Sequence, residues 1–113
     1  MKATRAVMPK TYTITTESFD TGPTGPGQVL IETEASAISA GTELAVYTGV
    51  HQWLHDPARA WPKFPFVPGY SGVGRIIEAG ADVTAFKPGD RVIFPARHES
   101  HTLLNAVDSH ALI

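Results

Sequence analysis

The residues FPFVPGYSGVGRIIEAGADVTAFKPGDRVIF run from Phe64 to Phe94. Gly69 to Ala79 reads as a strand. Its Gly72 and Gly74 lack side chains, which suits close approach of another backbone or of a ligand. Lys87-Pro88-Gly89-Asp90 is a turn by its chemistry, because Pro presets φ and Gly is free to take positive φ. Arg91 to Phe94 is a second strand. Two strands joined through Gly- and Pro-rich punctuation define a β domain rather than a helical bundle.

Working outward confirms the pattern. Upstream, Val50 to Pro68 carries four prolines (Pro57, Pro62, Pro65, Pro68) together with Trp53, Trp61, Phe64 and Phe66. It reads as a long loop that packs by its own aromatics, and such loops are often functional. Before it, Thr42 can cap a short helix, Glu43 favours the first turn and Gly49 stops it. Leu44, Val46 and Tyr47 give that helix an apolar side. Gln28 to Ser36 has strand character, with Val29 and Ile31 facing one way and Glu32 and Glu34 pointing to solvent. Asp20 to Gly27 is a loop with two Gly-Pro steps. Thr11 to Thr16 alternates as a half-buried strand, with Tyr12 and Ile14 on one face. Ala3 to Met8 is a short apolar-leaning segment. Downstream, His101 to Ala106 and Ser109 to Ile113 read as further strands. Six or seven short strands plus one or two short helices predict a mainly β fold, a partly open barrel or sandwich.

Composition narrows the class. The chain has 113 residues, enough for one domain with its own core. The 10 glycines and 9 prolines amount to roughly one residue in six, against about one in eight on average. Nine basic and eleven acidic residues give a net charge of −2, so nucleic acid is not an expected partner. No apolar run approaches the roughly 20 residues of a membrane span, and Met1 to Lys10 lacks the apolar region of a signal peptide. A cytoplasmic protein is the simplest expectation. Cysteine is absent, so a disulfide framework, a thiolate nucleophile and a cysteine-built metal site are excluded.

Three segments, in order, resemble the N-terminal GroES-like catalytic domain of the medium-chain dehydrogenase/reductase superfamily, which includes the zinc alcohol dehydrogenases and quinone oxidoreductases. They are SAISAGTELAVYTG (Ser36 to Gly49), FPFVPGYSGVGRIIEAGADVTAF (Phe64 to Phe86) and KPGDRVIF (Lys87 to Phe94). The resemblance implies that residues 1–113 form a GroES-like, partly open β-barrel that supplies the substrate wall. It also implies NAD or NADP as cofactor, held by a Rossmann domain. No segment here matches that domain: Gly69 to Gly74 opens a strand, not the helix of a dinucleotide fingerprint. An excised domain or a truncated gene product is therefore expected, and SHALI (Ser109 to Ile113) looks like the strand before the family's linker.

Two positions depart from the zinc-dependent branch. That branch places a cysteine ligand where Ala40 stands, and a histidine ligand and its neighbour where Tyr70 and Ser71 stand. A catalytic zinc needs about three protein ligands. The resemblance is thus to a zinc-lacking member, with no metal expected. It also marks Gly41 and Thr42 as facing the nicotinamide. Thr42 sits where the family places a proton-relaying hydroxyl, though a helix cap needs the same group. Glu43 suits a structural role through capping or an ion pair. Tyr70 could donate a hydrogen bond to a substrate carbonyl, or simply fill the volume left by the metal. His98, just after the third segment, is a candidate acid/base near the cleft. The pairs His98/His101 and His51/His55, with His110, invite a metal reading, but scattered surface histidines are commoner.

The expected function is the catalytic-domain portion of a zinc-independent NAD(P)-dependent oxidoreductase acting on a carbonyl, alcohol or activated alkene. Its partners would be a small-molecule substrate and the missing Rossmann domain. An uncovered cleft face would expose apolar surface and favour a homo-oligomer. Two other readings share the barrel: a stand-alone co-chaperonin-like assembly module, and an inactive remnant. The proline- and tryptophan-rich Val50 to Pro68 loop argues against the mobile partner-binding loop that a ring subunit needs.

Overall fold

A computed structural model describes residues 1–106. Six strands and one helix follow one another as β1 (Lys2–Val7), β2 (Thr15–Asp20), β3 (Gln28–Ser36), α1 (Thr42–Thr48), β4 (Gly72–Ala79), β5 (Arg91–Phe94) and β6 (His101–Asn105). The strands β1 and β2 form an antiparallel two-stranded sheet. The other four form an antiparallel sheet in the order β5-β4-β3-β6. The two sheets do not close on each other, so the fold is mainly β and partly open, as expected. The expected strand at Ser109 to Ile113 lies outside the described residues.

The core follows from period-two alternation. Val29 and Ile31 of β3, Ile76 of β4, Val92 and Phe94 of β5 and the following Ala96 pack into one buried cluster. Each large member contributes about 1.5–3 kcal/mol by leaving water. The opposite faces carry charge: Glu34 bridges Arg75 at 3.4 Å and Arg91 at 3.0 Å across three strands. Gly74 is required by proximity, because a Cβ there would lie 2.4 Å from the Glu32 carbonyl oxygen. The close backbone anticipated beside this strand is therefore β3.

The helix ends where Gly49 turns left-handed at φ 81°. Val50 N–H then reaches Ala45 C=O at 2.9 Å and Gly49 N–H reaches Val46 C=O at 3.0 Å, the Schellman pattern. Its start differs from expectation. Gly41, not Thr42, is the N-cap, and it offers no side-chain cap. Glu43 instead turns its carboxylate back to accept the Ser39 N–H, in the segment before the helix.

The strand expected over Thr11 to Thr16 begins only at Thr15. Tyr12 instead adopts φ 56°, its N–H donates to Tyr47 C=O at 2.7 Å, and its ring meets the Tyr47 ring edge-on at 5.5 Å. Contact with the C-terminal end of α1 overrides the local alternation. The Val50 to Pro68 segment is irregular, as expected. Trp53 and Trp61 meet at 6.5 Å, Trp61 meets Phe66 at 6.1 Å, and the Lys63 ammonium donates to the carbonyls of Trp53, Leu54 and Asp56.

Candidate active site

The most chemically organised place in the described chain is where α1 meets the segment after β5. His98 is brought there by its backbone. Its N–H donates to Pro68 C=O at 3.0 Å, and its C=O accepts from Ala6 N–H at 2.9 Å. This clamp between the aromatic loop and β1 needs Gly69, where a Cβ would lie 2.6 Å from the His98 nitrogen. Held in this way, the imidazole bonds at both ends. Nδ1 lies 2.6 Å from Ser36 Oγ at the end of β3, and Nε2 contacts Glu43 Oε1 on the first turn of α1.

Glu43 is the one buried charged residue among those described, at 5% exposure. Both of its oxygens are used, Oε1 by His98 and Oε2 by Ser39 N–H. A carboxylate only accepts, so Nε2 carries a hydrogen toward it. Nδ1 is then free to accept the Ser36 hydroxyl hydrogen. Burial makes each bond matter, because an unpaired buried charge is costly.

His98, Glu43 and Ser39 line a pocket of about 330 Å³ whose other walls include Met8, Ile14, Ile38, Leu44 and Tyr47. That is the size of a small-molecule site, with walls that are almost wholly apolar. Ala40 is also part of the lining. Gly41 and Thr42 follow it in the sequence, between the lining residues Ala40 and Glu43, and do not themselves line the pocket. Thr42 is half-buried and Gly41 exposed. Tyr70 lies elsewhere: it is 64% exposed and takes no part in lining this pocket.

The structure therefore gathers His98 with Glu43, while neither Thr42 nor Tyr70 lines their pocket. Ser36 was not singled out from the sequence. Its partner lies 62 residues away, and no local signal pairs a strand-end serine with a distant histidine. Glu43 is held by hydrogen bonds from Ser39 N–H and from His98, and it makes no side-chain cap on the helix.

A catalytic zinc does not fit the positions the zinc branch uses. Ala40 has no donor atom, and both ring nitrogens of His98 are already bonded. Among the described residues, no three His, Cys, Asp or Glu side chains converge on a metal-sized site. The other histidines are engaged locally. His101 bonds Ser100 Oγ at 2.9 Å, His51 accepts from Trp53 N–H at 3.1 Å, and His55 reaches Gly49 C=O at 3.3 Å. His110 lies outside the described residues.

The family model for the alcohol dehydrogenase GroES-like domain matches residues 25–109. The chain belongs to that family. A 2-desacetyl-2-hydroxyethyl bacteriochlorophyllide A dehydrogenase from Cereibacter sphaeroides is 34% identical over 95 residues, which is 84% of this chain and 28% of the relative. An alcohol dehydrogenase from Rhizobium meliloti is 42% identical over 77 residues, 66% of this chain and 19% of the relative. The chain thus spans less than a third of the length of either. Among solved structures, the CurF ER cyclopropanase from the curacin A biosynthetic pathway superposes with a TM-score of 0.76 at 19% identity, over 96% of this chain and 35% of that one. The 2R,3R-butanediol dehydrogenase from Bacillus subtilis superposes with a TM-score of 0.72 at 18% identity, over 98% and 40%. At such identities the superpositions speak for the fold alone.

Proposed function

We propose that this chain is the substrate-facing catalytic domain of a zinc-independent, NAD(P)-dependent oxidoreductase acting on a carbonyl, alcohol or activated alkene in the cytoplasm. The observation that carries the proposal is the buried His98–Glu43 pair at an apolar pocket whose wall has Ala40 in place of a metal-ligating cysteine. The relatives are dehydrogenases, and two structural neighbours are an NADP/crotonyl-CoA complex and a protein complexed with NADP(H).

The nicotinamide, when held by a Rossmann domain, supplies or accepts the hydride. The groups on this chain do the rest. Apolar walls exclude water and hold the carbon skeleton of the substrate. The His98–Glu43 pair provides or removes the proton that must accompany hydride transfer. Thr42, next to the lining residue Glu43 in the sequence, offers a hydroxyl with no protein partner among the described residues.

The test joins this chain to the dinucleotide-binding domain of a dehydrogenase relative and follows NAD(P)H oxidation with aldehydes, quinones and enoyl thioesters. Turnover that survives a strong chelator, without stoichiometric zinc in the purified protein, is expected. Turnover abolished by chelation and restored by zinc overturns the zinc-independent assignment. Absence of turnover and of nucleotide binding across the panel overturns the oxidoreductase reading, and a closed ring in sedimentation would favour the assembly module instead.

A further inference from the structure

The hydrogen-bond line through His98 ends on a hydroxyl. Ser36 Oγ lies 2.6 Å from Nδ1, and Nε2 contacts Glu43 Oε1. The Glu43 carboxylate is buried, and the Ser39 N–H fixes its other oxygen. A carboxylate only accepts, so Nε2 holds the ring hydrogen and Nδ1 presents its lone pair to the serine. Ser36 does not line the apolar pocket. It lines a separate open depression of about 360 Å³, together with Ser71. The Ala37 N–H donates to Ser71 C=O at 2.9 Å, which pins Ser71 beside the end of β3. Among the described residues, neither the Ser71 hydroxyl nor its N–H has a hydrogen-bond partner. A nucleophile, the base that faces it, the carboxylate that holds the base and two unengaged donors are thus gathered at one depression.

We propose that Ser36, His98 and Glu43 form a nucleophilic triad that cleaves small neutral esters through an acyl-serine intermediate. The inference goes beyond the oxidoreductase reading and uses no nucleotide. Ser36 Oγ bonds to the ester carbonyl carbon as its hydrogen passes to Nδ1. The carbonyl π pair moves onto oxygen, to which the Ser71 hydroxyl and N–H donate. That pair then returns, the bond to the leaving alkoxide breaks, and the Nδ1 hydrogen goes to the alkoxide. Water attacks the acyl-serine in the same way and gives a hydrogen to Nδ1. Ser36 Oγ leaves and takes that hydrogen back. The sum is ester plus water giving acid plus alcohol. The Nε2 hydrogen stays in place against Glu43 throughout, so the line is restored after each turnover. Glu43 stabilises the imidazolium formed in each half of the reaction. The walls set the substrate class. Short Ala35, Ala37 and Gly72 leave room for an acyl group, Val73 and Ile93 give it apolar contact, and no charged side chain lines the depression to hold an ion.

Ser36 and His98 are the catalytic residues here, and Glu43 is a positioning residue that acts through the ring. The 113-residue chain is treated with diisopropyl fluorophosphate and, separately, with p-nitrophenyl butyrate. Peptide mass spectrometry should find the phosphoryl adduct on Ser36. Release of p-nitrophenolate should run through many turnovers and stop once that adduct forms. Ser36→Ala should lower turnover by at least about a hundredfold. In Glu43→Gln the ring hydrogen is expected on Nδ1, where it donates to Ser36 and leaves no base. The limiting rate of labelling should then fall about a hundred- to ten-thousandfold, with the reagent concentration at half that rate unchanged. A serine that only braces the ring takes no label. Absence of label on Ser36 in the natural chain, a labelling rate that Glu43→Gln leaves unchanged, or ester turnover that survives in Ser36→Ala overturns the triad. The adduct on the natural chain needs no variant, so a poorly folding Ser36→Ala leaves the proposal testable. Neither assay involves hydride transfer, so the triad and the oxidoreductase reading stand or fall separately.

Discussion

Replacing Glu43 by alanine tests how much the fold depends on its buried carboxylate. Two donors reach it, Ser39 N–H and His98 Nε2, and it is 5% exposed. Hydrogen bonds to a charged group contribute about 1.5–3 kcal/mol each, so losing both forfeits about 3–6 kcal/mol. Water entering from the adjoining pocket recovers part of this. The net loss should fall near about 3–5 kcal/mol, the usual result of breaking a buried pair. Against a total stability of about 5–15 kcal/mol, that is a large share. With a urea slope near 2 kcal/mol per molar, the midpoint should drop by roughly 1.5–2.5 M. Glu43→Gln should cost only about 1–2 kcal/mol, because its carbonyl oxygen keeps the Ser39 bond and its amide can face His98. The assay is urea unfolding followed by tryptophan fluorescence, run also on His98→Ala and on the double variant. The two single losses should exceed the double loss by about 1–3 kcal/mol, the coupling expected of groups in one network. A Glu43→Ala loss below about 1 kcal/mol, or strict additivity with His98→Ala, would show that the contact holds nothing together.

Three further outcomes are expected. Gly69→Ala forces a side chain onto φ 104° and sets its Cβ 2.6 Å from the His98 nitrogen; urea unfolding should show a loss of about 2–4 kcal/mol, with the His98 resonances shifted. Lys63→Met leaves three loop carbonyls without their ammonium donor. The emission of Trp53 and Trp61 should move to the red while the far-ultraviolet circular dichroism of the sheet is kept. Asp90 accepts the Lys87 N–H at 3.0 Å, which holds its carboxyl below the ordinary 3.8. A depressed folded-state value stabilises above the unfolded value and loses that stabilisation as pH falls through the folded one. Thermal melts should therefore show the natural chain above Asp90→Asn near neutral pH, with the gap closing in strong acid. A gap that persists there would assign the effect to something other than ionisation.

How much of this was legible in the residues depends on the range of the interaction. The strand Gln28–Ser36, the strand Arg91–Phe94 and the Gly49 stop were readable because alternation and glycine chemistry act locally. The segment Thr11 to Thr16 was misread because the backbone of Tyr12 bonds to Tyr47, a contact between distant parts of the chain that outweighs two apolar positions. The site divides in the same way. His98 and Glu43 were marked by residue type and place. Their meeting, and the part of Ser36, depends on Pro68 and β1 clamping the His98 backbone, which no spacing encodes. Tyr70, marked by its place in a motif, is 64% exposed and lies apart from the pocket that His98 and Glu43 line.

The same geometry explains how one short stretch with alanine at its first position organises a site. Ala40 and Glu43 lie three residues apart where the chain enters α1, so both come to the same pocket wall. Alanine at the first position offers no side-chain donor, and the buried carboxylate at the second needs a hydrogen-bond donor. His98 meets that need only because its backbone is pinned from two sides. The ring is thereby fixed in the plane that lets Nδ1 find Ser36. Electrostatic demand at Glu43 thus sets the hydrogen on Nε2, and that in turn sets Nδ1 as an acceptor. The direction of the whole line follows from one buried charge. Reversing it should require only that the charge be removed, which is why Glu43→Gln is expected to move the His98 hydrogen from Nε2 to Nδ1. Nitrogen-15 shifts that still place the hydrogen on Nε2 in that variant would show that some other group orients the ring.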